Sequence, residues 1–96
     1  MVIGTLSIVL YLHGTQSLKD KRSIVKRIIA RTRNQFNVSA AEVDDNDIIG
    51  RAHLAFVSVG NDNRFINSCM DKILNFVEGL QLAEIADHRI EVVTYS

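Results

Sequence analysis

The chain has 96 residues, 47% of them hydrophobic, with eleven basic and eleven acidic side chains and a net charge of zero. That length makes one domain with one core between two layers and leaves little room for a deep enzyme cleft; the apolar fraction excludes intrinsic disorder. Zero net charge excludes attraction of the molecule as a whole to nucleic acid or an anionic membrane, so a charged partner has to be met by one part of the surface.

Residues 2–12 alternate, with Gly4, Leu6, Ile8, Leu10 and Leu12 on one side and Ile3, Thr5, Ser7, Val9 and Tyr11 on the other. This predicts a strand with one apolar and one mixed face, which suits an antiparallel sheet covered by helices on one side only. His13-Gly14-Thr15-Gln16 is a short connection to a long helix, Ser17 to Phe36. Ser17 caps that helix, with Asp20 three residues on as a shorter form of the capping box. Leu18, Val25, Ile28, Ile29, Thr32 and Phe36 fall in one stripe at helical period. Lys19, Arg22, Lys26 and Arg33 form an adjacent stripe, and Arg27 and Arg31 lie on the outer face.

Asn37 is the expected end of the helix, followed by a weakly patterned strand to Asp44 and turn chemistry at Asp45-Asn46-Asp47. Ile48 to Gly60 supplies a third strand, best formed at 52–59, with Leu54 and Phe56 opposite His53, Ala55, Val57 and Val59. Gly60-Asn61-Asp62 breaks it and caps a second helix, whose buried stripe is Ile66, Cys69, Met70, Ile73, Val77 and Leu80 and whose natural stop is Gly79. Residues 83–95 close the chain as a strand. The order βαββαβ, without repeats, linkers or proline, predicts a single α+β domain spanning residues 1–96. Two split βαβ units with right-handed crossovers give a ferredoxin-like sandwich, a four-stranded antiparallel sheet of order 4-1-3-2 with both helices on one face.

The segments Ser17-Leu18-Lys19-Asp20-Lys21-Arg22, Arg33-Asn34-Gln35-Phe36-Asn37-Val38-Ser39, Ala41-Glu42-Val43-Asp44 and Asn61-Asp62 resemble, in order and over nearly the whole chain, the YlxP-like family of small bacterial proteins, domain of unknown function 503. The resemblance implies a ferredoxin-like fold and a cytoplasmic protein, and in many bacteria the family is encoded beside translation and ribosome-maturation factors. It supplies no established catalytic residue. The chain departs from the family pattern at Ile48-Ile49, where an aromatic residue is common, and near His13, where proline is common.

The even charge total hides a split. Residues 13–36 hold seven basic side chains and one acid, a local charge of +6; residues 37–96 hold four basic side chains and ten acids, a local charge of −6. Such asymmetry points to an oriented electrostatic contact. Lys19, Arg22, Lys26, Arg33, Arg27 and Arg31 are the candidate binding residues, because a row of cations at helical spacing can follow a phosphate backbone. Given the gene neighbourhood that the resemblance implies, ribosomal RNA or a ribosomal particle is the expected partner. The alternative is a protein–protein or homo-oligomeric module without a nucleic-acid role, whose basic helix meets an acidic protein surface such as the acidic end of another copy; the plain reading is a solvated helix face. The sheet offers no RNA-recognition platform, since only Tyr11 and Phe56 are available on the first and third strands and Phe56 is assigned to the core.

Ile3, Val9, Tyr11, Val57 and Val59 are the candidate oligomer face, an apolar patch on the open side of the sheet that is expected to be covered, and sheet-face or edge-strand pairing into a homodimer is the expectation. No catalytic residue, metal or cofactor is expected. Asp45-x-Asp47-x-x-Gly50 imitates the start of a calcium loop, but Ile49 and Phe56 stand where oxygen ligands are needed. His13, His53 and His88 lack ligand spacing, and Cys69 sits in a buried stripe without a histidine partner. The single cysteine forbids an internal disulfide, and no secretory signal or membrane-length apolar run is present, which together point to the cytoplasm. A remote alternative is an anion- or phosphoryl-handling enzyme at the start of the first helix, where backbone N–H groups gather at Gly14–Ser17 beside Lys19 and Arg22.

Overall fold

Strand β1, Val2–Tyr11, buries every second residue in the computed structural model, which describes residues 1–96. Val2, Leu6, Ile8 and Leu10 face the helices and Ile3, Thr5, Ser7 and Val9 the open side. The strand is central. It pairs antiparallel with β3, Arg51–Gly60, and with β4, Glu84–Thr94. β2, Ser39–Asp44, pairs only with β3, so the sheet order is β2-β3-β1-β4. Read from the other edge, this is the expected order 4-1-3-2, and with its two helices the chain is an α+β ferredoxin-like sandwich.

Helix α1 runs Leu18–Gln35. Ser17 is its cap, with Oγ accepting the Asp20 N–H at 3.1 Å. The return contact goes one residue further back than in a standard capping box: Asp20 Oδ2 accepts from the Gln16 N–H at 3.3 Å. The helix ends at Phe36 rather than Asn37. Phe36 takes an extended conformation, donates its N–H to the Thr32 carbonyl, and sets its ring edge-on to Phe76 of the second helix, 5.5 Å between centroids. β2 then begins at Ser39, two residues later than the sequence pattern placed it.

Helix α2 runs Asn63–Leu80, capped by Asp62, whose Oδ1 accepts from the N–H groups of Arg64 and Phe65. Gly79 is not its stop. The helix continues through Leu80, half-buried against the core, and Gln81 takes the left-handed conformation at φ 53°. The stripe Ile66, Met70, Ile73 and Val77 is buried, with Cys69 half-buried beside it. Ile66 explains two glycines: a Cβ on Gly4 would lie 2.4 Å from its Cγ2, and one on Gly60 would lie 2.8 Å from its Cδ1. α2 therefore sits down on β1 and β3 where neither strand has a side chain. Neither helix is long and apolar enough to cross a membrane.

Candidate functional site

The seven basic residues of α1 divide into two groups. Lys21 is on the inside, 1% exposed, on the same stripe as Val25, Ile28 and Thr32. Its Nζ donates to the backbone carbonyl of Asp45 and lies 2.9 Å from Glu42 Oε2. That carboxylate oxygen is buried and takes no aligned hydrogen bond, so the Lys21 ammonium is its compensating charge. Asp45 presents its carbonyl to Lys21 from a left-handed conformation, φ 61°, which aspartate tolerates better than most residues. The same carbonyl accepts the Ile48 N–H at 3.0 Å, and the Asp45 carboxylate takes both Nε and an Nη of Arg51. The paired carboxylate raises the already high pKa of the Arg51 guanidinium, by the hydrogen bond first and Coulomb attraction second.

Lys21 thus bolts the start of α1 to the β2–β3 turn. Thr15 adds a second tie, its Oγ donating to the carbonyls of Leu12 and Ile49, and the Leu12 N–H bonds Gly50. Lys21 belongs to the Ser17–Arg22 segment but not to the exposed basic row, and its spacing of four from Val25 and seven from Ile28 is the signal in the sequence for its inward position.

The other six, Lys19, Arg22, Lys26, Arg27, Arg31 and Arg33, are all exposed, and none forms an ion pair. Lys19, Arg22 and Lys26 line one shallow open groove with Ser23, about 530 Å³ in volume and without an apolar residue. Arg33 lies outside that groove in the last turn of the helix. The row from Lys19 to Arg33 covers roughly 21 Å at the helical rise of about 1.5 Å per residue. At the helix N-terminus the Gln16 and Asp20 N–H groups are taken by Asp20 and Ser17, so an anion there would have to displace the Asp20 carboxylate.

The acids of the β2–β3 turn diverge: Glu42 turns inward, Asp45 faces Arg51, and Asp44 accepts from the Asp45 N–H. The histidines are also apart. His13 pairs with Glu84 on the surface, His88 is exposed on β4, and His53 shares a 2.6 Å hydrogen bond with Ser7 on the open sheet face. Of the oligomer-face residues, Val59 is 65% exposed, Tyr11 44% and Val57 37%, while Ile3 and Val9 are half-buried. Ile3 lies between Val59 and Val93 across the sheet; further along, Thr5 and Ser7 sit beside Glu91 and Arg89. Polar residues therefore interrupt the apolar patch. Phe56 is fully buried, as its alternation requires.

A family model described as "Protein of unknown function (DUF503)" matches residues 3–90. The uncharacterized protein YlxP of Bacillus subtilis (strain 168) is 29% identical over 80 residues, covering 83% of this chain and 87% of that protein. Among solved structures, the structural-genomics protein YJCS superimposes with a TM-score of 0.53 at 13% identity, over 96% of this chain and 99% of that one. At that identity the likeness speaks to the fold alone.

Proposed function

The chain belongs to the DUF503 family, and from that premise we propose that it is a non-enzymatic binding protein that docks the outer face of α1 on the phosphate backbone of RNA, ribosomal RNA or a ribosomal particle first. The observation that carries the reading is the unneutralised helix: six exposed cations on one element, none paired within the chain, on a molecule whose net charge is zero. Exposed lysines and arginines scattered on a surface usually have carboxylates interspersed; here no acid occurs between Asp20 and Glu42. Each cation set against a phosphate releases a counterion, which gives affinity without base readout. The absence of an aromatic pair on the open sheet face fits contact with backbone rather than stacked bases.

Binding to ribosomal RNA is measured as a function of salt. Each phosphate contact contributes roughly 0.7–0.9 to the slope of log affinity against log salt. Replacing Lys19, Arg22, Lys26 and Arg33 with Gln is expected to abolish most binding at low salt and to flatten the slope by about 3. A slope unchanged in the four-residue variant, or no binding by the wild type at low salt, contradicts the proposal.

A further inference from the structure

The two edges of the sheet are protected very differently. β4 carries Asp87, His88, Arg89 and Glu91, all exposed, and its pairing with β1 shifts register between Val9 and Leu10. Charges and bulges of this kind stop an edge strand from pairing with another chain. β2 has little of either along Ser39–Glu42. Its residues are Ser39, Ala40, Ala41 and Glu42, and the one charge among them is drawn inward to Lys21. The register shift comes only afterwards, between Glu42 and Asp44, and pushes out an exposed Val43. Along this edge Ser39, Ala40, Ala41, Val43, Ala55 and Val57 line a shallow, mainly apolar groove.

The charges at the two ends of β2 choose the occupant. The strand starts just after the last turns of α1, which carry Arg31 and Arg33, and ends in Asp44 and the turn containing Asp47; none of these four forms an ion pair within the chain. A second copy set antiparallel about a twofold axis brings each copy's arginine end beside its partner's aspartate end. A parallel strand would set like against like. We propose that β2 pairs with β2 of a second copy of this chain, antiparallel and centred on Ala41, making one continuous eight-stranded sheet. The opposed side chains at the axis are small, so the backbones approach without obstruction. Lys19, Arg22 and Lys26 are not needed for this contact, and only Arg31 and Arg33 are shared with the RNA-facing row, so variants at Ala41 test the pairing separately from RNA binding.

The test is light scattering of the full chain with Ala41→Lys, Ala41→Glu and an equimolar mixture of the two. Ala41 is exposed, aligned with Ala55 of β3 on the open face. Like charges facing each other across paired strands destabilise the pair and opposite charges restore it. The wild type is expected at twice 10.8 kDa, each variant alone as a monomer, and the mixture again as a dimer. A wild type that stays monomeric up to about 1 mM, so that any pairing has a Kd weaker than that, overturns the proposal. So does either variant remaining dimeric alone, or a mixture that stays monomeric. Should the variants fail to fold, amide exchange of the wild type decides. Protection of residues 39–43 that rises with protein concentration supports the pairing; protection independent of concentration overturns it.

Discussion

Lys21 and Lys19 are two residues apart on one helix and do unrelated work. Lys19 is exposed and unpaired, whereas Lys21 is enclosed between Glu42 and the Asp45 carbonyl. Removing one partner of a buried pair strands the other, at a cost of about 3–5 kcal/mol. Glu42 keeps 15% of its side-chain exposure, so Lys21→Met is expected at the low end, about 3 kcal/mol by denaturant unfolding. Adding Glu42→Leu to that variant removes the stranded carboxylate and is expected to restore most of the loss; a double variant as unstable as Lys21→Met alone would show that Glu42 is not what Lys21 compensates. Gly4 makes a second prediction at this scale. Its missing Cβ is the seat of Ile66, at 2.4 Å from Cγ2, so Gly4→Ala should cost about 1–3 kcal/mol by overpacking; Ile66→Val, which keeps Cγ2 and removes only Cδ1, should relieve Gly60→Ala, whose Cβ would lie 2.8 Å from Cδ1, and leave Gly4→Ala unrelieved. The core stripes of both helices were legible in the spacing of their apolar residues. Lys21 was not, although it falls on the stripe of Val25, Ile28 and Thr32. Spacing reports which face a residue occupies, and a charge on the inner face needs a partner that only the folded β2–β3 turn supplies.

The elements follow from local rules that point one way. Strict alternation in β1 and β3 places Leu6, Ile8, Leu10, Leu54 and Phe56 in the core, and period-3.6 stripes turn both helices onto the same sheet face. Helix starts were readable from Ser17 and Asp62 because a side-chain oxygen of each meets an unpaired amide. Helix ends were less so. Gly79 is a favourable left-handed residue, yet Gln81 holds that conformation because Leu80 is kept in the helix by its packing against the core. Tertiary contact overrides local preference at that position. Ser17→Ala is expected to cost about 1 kcal/mol; Asp62 receives two amides where Ser17 receives one, so Asp62→Ala should cost more. Thermal melts of the two variants rank them, and a larger loss at Ser17 would reverse the assignment. The unequal protection of β2 and β4 is also an element-scale property, and it was not legible: it depends on Glu42 turning inward to Lys21 and on where each register shift falls.

At the scale of the whole molecule, a neutral protein carries seven of its eleven basic residues on one helix and ten of its eleven acids elsewhere. The sandwich holds that helix rigidly: its inner face is core, its start is tied to the β2–β3 turn through Lys21, and its end is fixed by Phe36 against Phe76. The outer face is left with six exposed cations that the chain does not neutralise. The proposed β2 pairing would join two such helices in one assembly, so that two basic faces could engage a long polyanion together, with the gain in avidity that linkage brings. The sequence alone made the charge split visible, but the separation of Lys21 from the other six required the fold. Co-sedimentation with ribosomal subunits, wild type beside the variant with Gln at positions 19, 22, 26 and 33, tests the central claim most directly. Wild-type protein is expected to pellet with the subunits at low salt and to be released as salt rises, with the variant left in the supernatant throughout. Wild type and variant remaining together in the supernatant, or pelleting equally, would contradict it.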